Sequence, residues 1–100
     1  MKININGTKL EVKSTNLFNK QLKKIYKQGK DINKLLDLVI KLANKEVLDS
    51  KYHDHSLNDN KYYKDARECH IEPDWLLVYK IKNEELVLLL FATGSHSELF

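Results

Sequence analysis

Polar and apolar positions alternate through residues 2–13, "KININGTKLEVK", with Leu10 and Val12 on one face and Asn6-Gly7 as a turn. That pattern predicts one or two short strands. The period then lengthens. Leu17, Phe18, Leu22, Ile25 and Tyr26 recur at helical spacing, with Ser14 or Thr15 as cap and Gly29 as stop. After Asp31, a second natural cap, Ile32, Leu35, Leu36, Val39, Leu42 and Ala43 trace another amphipathic stripe. Leu38 and Ile40 fall outside it and are expected to face a partner. Gly29 and Lys30 alone join the two helices, which predicts an antiparallel hairpin.

The segment "NKEVLDSKYHDHSLNDNKYYK" is polar and loop-like, with a short strand expected around His55 to Leu57. Beyond Asp65, "ARECHI", "WLLVYKIK" and "ELVLLLFAT" read as three strands separated by the turn-sized pairs Glu72-Pro73 and Asn83-Glu84. Short connections force antiparallel neighbours. The expected architecture is therefore α+β: an N-terminal strand, a helical hairpin, then an antiparallel meander with the helices on one sheet face, all in a single domain over 1–100. With two-residue loops, His70 stands opposite Trp75 and Trp75 opposite Ala92, one row on one face, with Asp74 and His96 nearby. A slip of one residue would turn every side chain of a strand to the other face.

Composition is that of an ordinary globular protein, with no low-complexity linker. The opening residues lack the apolar stretch of a secretory signal, no run is long enough for a membrane span, and the single Cys69 excludes an internal disulfide. These features favour a cytoplasmic protein. The net charge of +3 conceals an asymmetry: residues 1–50 carry eleven lysines against five acids, and residues 51–100 six basic residues against nine acids. Lys20, Lys23, Lys24 and Lys27 form a stripe on the first helix, suited to an anionic surface such as nucleic acid, though a solvated face is the commoner meaning of such a stripe.

All four histidines lie in the acidic half. Imidazoles near a carboxylate suit proton transfer, and an exposed tryptophan would give a base a face to stack on. RNA cleavage needs a base, an acid and cations around the phosphorane-like charge. Each residue alone has a plainer meaning: a surface histidine, turn chemistry for Asp74, core for Trp75. Zinc is the rival chemistry, from His53, His55, Cys69, His70 and Asp74, but no paired CxxC or HExxH spacing supports it, so no metal or cofactor is expected.

The motifs "KYHDHSL", "RECHIEPDWLLVYKI" and "TGSHSELF", in this order, resemble the YafQ branch of the RelE/ParE toxin superfamily, whose pattern runs DHxL, RECHIxPDWLLIYKI and RTGTHSDLF. The resemblance implies a type II toxin that enters the ribosome and cleaves mRNA in the decoding site, neutralised by an antitoxin in a toxin–antitoxin heterotetramer. It implies His96 as general acid, His55 or Asp74 as base, His70 positioning the phosphate, Trp75 supporting or contacting bases, Phe100 as the matching terminal aromatic, and His53 as a bystander. A noncatalytic ParE-like toxin or antitoxin-binding co-repressor is the alternative. The departure is Ala92, where the family pattern has an arginine expected to clamp the scissile phosphate. Loss of such a donor typically costs about 10²- to 10³-fold in rate. One alanine among otherwise intact motifs fits an introduced inactivation better than natural decay, which spoils several positions.

Overall fold

The first helix starts where a hydroxyl can serve its unpaired amides: Thr15 Oγ1 accepts from the Phe18 amide at 3.0 Å. The computed structural model, which describes residues 2–58 and 60–100, places β1 at Glu11–Ser14, α1 at Asn16–Lys27 and α2 at Ile32–Ala43. The short β2 follows at His55–Ser56, β3 at Arg67–Glu72, β4 at Trp75–Lys82, β5 at Val87–Gly94 and α3 at His96–Leu99. Asp31 caps α2 through the Asn33 amide, and Gly29 takes the positive φ that ends α1. Asp59, inside the polar segment read as a loop, lies outside the described residues, as does Met1.

The five strands form one sheet in the order β1-β5-β4-β3-β2. β1 runs parallel to β5, and the remaining neighbours are antiparallel. Only Glu11–Ser14 of the expected N-terminal strands forms; residues 2–10 carry no strand, and Leu10 instead buries its side chain and donates its amide to the Ala43 carbonyl at 2.8 Å.

Both helices cover one face of the sheet. Phe18, Leu22, Ile25, Leu35, Val39 and Leu42 pack on Cys69, Ile71, Trp75, Leu77, Tyr79, Leu88 and Leu90. Leu38 joins them at 2% exposure, so it is core and not a partner contact, whereas Ile40 remains exposed. Leu17 and Tyr26, read as part of the α1 stripe, lie in solvent. The other face carries a smaller cluster of Tyr63, Ala66, Leu76, Val78, Ala92 and Leu99.

The expected row of His70, Trp75 and Ala92 does not form. His70 stands opposite Leu76, Glu72 opposite Trp75, and Val78 opposite Ala92. Three local irregularities produce the difference. The register shifts between His70 and Glu72 and again between Val78 and Tyr79. The last connection also spans Asn83 to Leu86, a 3-10 turn closed by Leu86 in the left-handed region at φ 55°, which pairs Lys82 with Val87. Each extra residue turns the following side chains to the other face.

Candidate active site

The site lies on the face that the helices leave open. His55 on β2 stands opposite Glu68 on β3, Glu68 opposite Val78 on β4, and Val78 opposite Ala92 on β5. Glu68 and His70, two apart on one strand, point the same way. Glu68 is 4% exposed, and its Oε1 lies 3.3 Å from His70 Nε2 and 3.6 Å from His55 Nε2. The far nitrogens are anchored on main-chain carbonyls: His55 Nδ1 donates to His53 at 2.6 Å and His70 Nδ1 to Pro73 at 3.3 Å. A carbonyl only accepts, so these contacts place a hydrogen on each Nδ1 and turn each Nε2 towards the shared carboxylate. One buried carboxylate between two imidazoles can hold a proton and pass it on at Nε2.

His96 faces His55 and Glu68 across a cleft bordered also by Asn60 and Phe100. Its position follows from the cap of α3. Ser95 and Glu98 form a capping box, and Lys24 from α1 holds Glu98 at 2.8 Å. The lysine contact, with help from Ser95, lowers the Glu98 carboxyl to about 2. Asp74 Oδ1 accepts the His96 amide at 3.0 Å, which ties the β3–β4 turn to the start of α3. The His96 ring lies 5.2 Å from Phe100, Phe100 5.4 Å from Tyr63, and Tyr63 5.6 Å from Phe91, so aromatic packing roots the C-terminal end in the smaller core.

A second polar cluster fixes the chain before His55. Asp54 accepts from Arg67 Nε and a terminal Arg67 nitrogen, both at 3.3 Å, and from the Tyr79 hydroxyl at 2.5 Å. Burial first, then the Asp54 contact, pushes the Tyr79 hydroxyl well above its ordinary range. His53, between this anchor and Tyr52, takes the left-handed conformation at φ 48° and packs edge-on against His70 at 5.4 Å.

His55 therefore connects His70, through the shared Glu68, to the cleft of His96 and Phe100. Trp75 does not join them. It is 1% exposed on the helix face, where Nε1 donates to Thr93 Oγ1 at 3.0 Å, so it offers no face to a base and retains only a supporting place. Ala92 is on the site face but wholly buried in the smaller core. Cys69 points into the main core, where burial pushes its thiol up to about 12. Among the described residues, no three His, Cys, Asp or Glu side chains are grouped to hold a metal. Lys20, Lys23 and Lys27 are exposed, while Lys24 is engaged with Glu98. The sequence reading passed over Glu68 and Asp54, and took His53, whose carbonyl orients His55, for a bystander. Strand alternation from His70 was the available signal for Glu68.

Residues 10–100 match the family model described as the bacterial toxin of type II toxin-antitoxin system, YafQ. The chain belongs to the YafQ toxin family. It is 36% identical over 91 residues to the mRNA interferase toxin YafQ of Escherichia coli strain B / BL21-DE3, covering 90% of this chain and 95% of that protein. Among solved structures, a metal-bound toxin from Helicobacter pylori matches with a TM-score of 0.85 and 46% identity, over 91% of this chain and 99% of that one. The E. coli DinJ-YafQ complex matches with a TM-score of 0.80 and 36% identity, over 91% and 98%. The YafQ-type α+β fold expected from the sequence is thus the observed one, and none of its described helices is long and apolar enough to cross a membrane.

Proposed function

We propose that this YafQ-family chain is a ribosome-dependent endoribonuclease that cleaves mRNA by acid–base transphosphorylation in the decoding site, with its rate lowered by Ala92. The convergence of His55 and His70 on Glu68, with His55 and Glu68 facing His96 across one cleft, carries this reading. His55 Nε2, backed by Glu68, takes the proton of the 2′-hydroxyl as that oxygen attacks the adjacent phosphorus. The bond to the 5′-oxygen breaks, and His96 protonates the departing oxygen, leaving a 2′,3′-cyclic phosphate and a 5′-hydroxyl. His70 positions a phosphate oxygen. Asp74 holds the His96 amide and so acts through α3, which leaves His55 as the better base. No cation stands at position 92 to meet the developing charge, and this gives the noncatalytic alternative its one supporting observation.

The relatives' designation as mRNA interferase toxins supports mRNA as substrate. The DinJ-YafQ complexes support a cognate antitoxin as partner. Our reading puts the pair in a heterotetramer and, with a substrate held by ribosomes, the activity in the cytoplasm. A relative is metal-bound, but the donors described here are not grouped for an ion, so no step is assigned to one.

The test is mRNA cleavage on translating ribosomes by the chain, by Ala92→Arg and by His96→Ala. The expected order is strong cleavage by the arginine variant, weak cleavage by the parent and none by the histidine variant. If Ala92→Arg leaves mRNA as intact as His96→Ala does, the nuclease reading is wrong.

A further inference from the structure

We propose that a groove next to the histidines binds the RNA backbone flanking the cleavage point, with Lys41 and Lys51 as its phosphate-binding pair. This inference rests on the ribonuclease reading above and adds a subsite to it. The groove is bordered by Lys41, Lys51, Tyr52, His53 and His70, and His55 borders both this groove and the cleft of His96 and Phe100. One surface path therefore runs from His96 past Glu68 and His55 to the two lysines.

Lys41 comes from α2 and Lys51 from the 3-10 turn Ser50–Tyr52, yet their ammonium groups lie 5.8 and 5.1 Å from the centre of the same Tyr52 ring. Neither makes an ion pair among the described residues. By contrast, Lys30 and Lys34 share Glu72 at 3.2 and 2.9 Å, and those contacts lower the Glu72 carboxyl. Of the carboxylates bordering the groove, Glu72 is thus already neutralised, and Asp37 alone stands against Lys41 and Lys51. Like charges bordering one groove repel, and an anion bound in the groove is attracted by both. A polynucleotide fits because it carries a charge at every phosphate, so one strand can meet the histidines and the lysine pair together. An acidic protein segment would satisfy the lysines but would gain nothing from continuity with the cleft.

The experiment uses the full chain and a labelled single-stranded oligoribonucleotide, fully 2′-O-methylated so that it cannot be cleaved. Its affinity is followed by fluorescence anisotropy between about 50 and 200 mM salt. Each phosphate neutralised on a single strand contributes a slope of about −0.7 to log K against log salt, so Lys41→Ala/Lys51→Ala should reduce the slope by about 1.4 and weaken binding roughly tenfold to hundredfold at about 50 mM. Lys9→Ala/Lys13→Ala, near the opposite edge of the sheet, should leave both unchanged. Binding of this uncleavable strand is scored apart from mRNA cleavage by the parent, so a failure of the cleavage reading remains separable from a failure here. The proposal is overturned if the groove pair leaves the slope unchanged, or if both lysine pairs lower it equally. It is likewise overturned if the groove pair weakens only the antitoxin complex, which would assign the surface to that protein.

Discussion

Glu68 and Ala92 both stand opposite Val78, one from each neighbouring strand, and so share a row and a face of the sheet. Neighbouring strands lie about 4.8 Å apart, which puts the two backbones about 10 Å from each other. An arginine at 92 would project onto the face of Glu68 and His70, within reach of the charge that forms there. Ala92→Arg is expected to raise ribosome-coupled cleavage by about 10²- to 10³-fold. Position 92 is wholly buried beside Tyr63 and Leu99, so the longer side chain must displace packing. A stability loss of about 1–3 kcal/mol should accompany the gain in rate and be visible in urea unfolding.

Glu68→Gln keeps the side-chain volume and removes the charge between the two imidazoles. Cleavage, measured in single turnovers in the Ala92→Arg background, should fall by more than about tenfold and at most by the roughly 10²- to 10⁴-fold that a positioned acid or base supplies. The pH–rate profile should change shape as well, because the carboxylate that partners both Nε2 atoms is gone. An unchanged profile would reduce Glu68 to a packing residue.

The helices, their caps at Thr15 and Asp31, the stop at Gly29 and the β2 position of His55 were legible because each depends on local spacing or on one side chain's reach to a nearby amide. Register was not, because it accumulates every irregularity between two strands. Nothing in "RECHIEPDW" marks the shift after His70, and the positive φ at Leu86 occurs in a residue that rarely adopts it. The histidines were still found, since their motifs identify them without register. Glu68 was passed over, and Trp75 was left between core and base contact, because both depend on which face a side chain takes.

Asp54 joins the loop carrying His55 to two strands through Arg67 and Tyr79. Asp54→Ala leaves the almost fully buried Tyr79 without its acceptor, at a cost of about 1–3 kcal/mol. It also frees His53 and His55, so kcat should fall further than stability alone explains. Tyr79→Phe removes one hydroxyl and leaves the Arg67 contacts, so it should cost about 1 kcal/mol with nearly normal cleavage. Equal kinetic losses in the two variants would contradict a positioning role for Asp54.

Trp75→Phe separates a supporting role from a base-stacking one. The indole N–H to Thr93 is lost from the core, while the Thr93 hydroxyl keeps its bond to the Leu76 carbonyl at 2.7 Å. Unfolding free energy should drop by about 1–2 kcal/mol. RNA affinity at a temperature where the variant is folded should stay at the parent's value. A selective rise in KM, with stability unchanged, would mean that the indole leaves its buried position to meet RNA.

Acid should weaken the cap of α3 below the ordinary carboxylate range. The Glu98 carboxyl titrates at about 2 in the folded chain against an ordinary 4.5, so its stabilising contribution is fully present above the higher value and is lost as pH falls towards the lower one. The side chain is 40% exposed, and solvent screening limits the effect of the Lys24 pair to that of a surface ion pair plus a cap, about 0.5–1 kcal/mol. Glu98→Gln should therefore lower stability by that amount at pH 7 and by progressively less as pH drops from 4.5 to about 2. Because the capping box sets the start of the helix that bears His96, the same variant should reduce cleavage at neutral pH while leaving binding of uncleavable RNA intact. Hydrogen exchange of the Glu98 and Leu99 amides, which bond to Ser95, reads the loosening directly: faster exchange confined to these positions is expected, and acceleration spread over β5 would instead indicate global destabilisation.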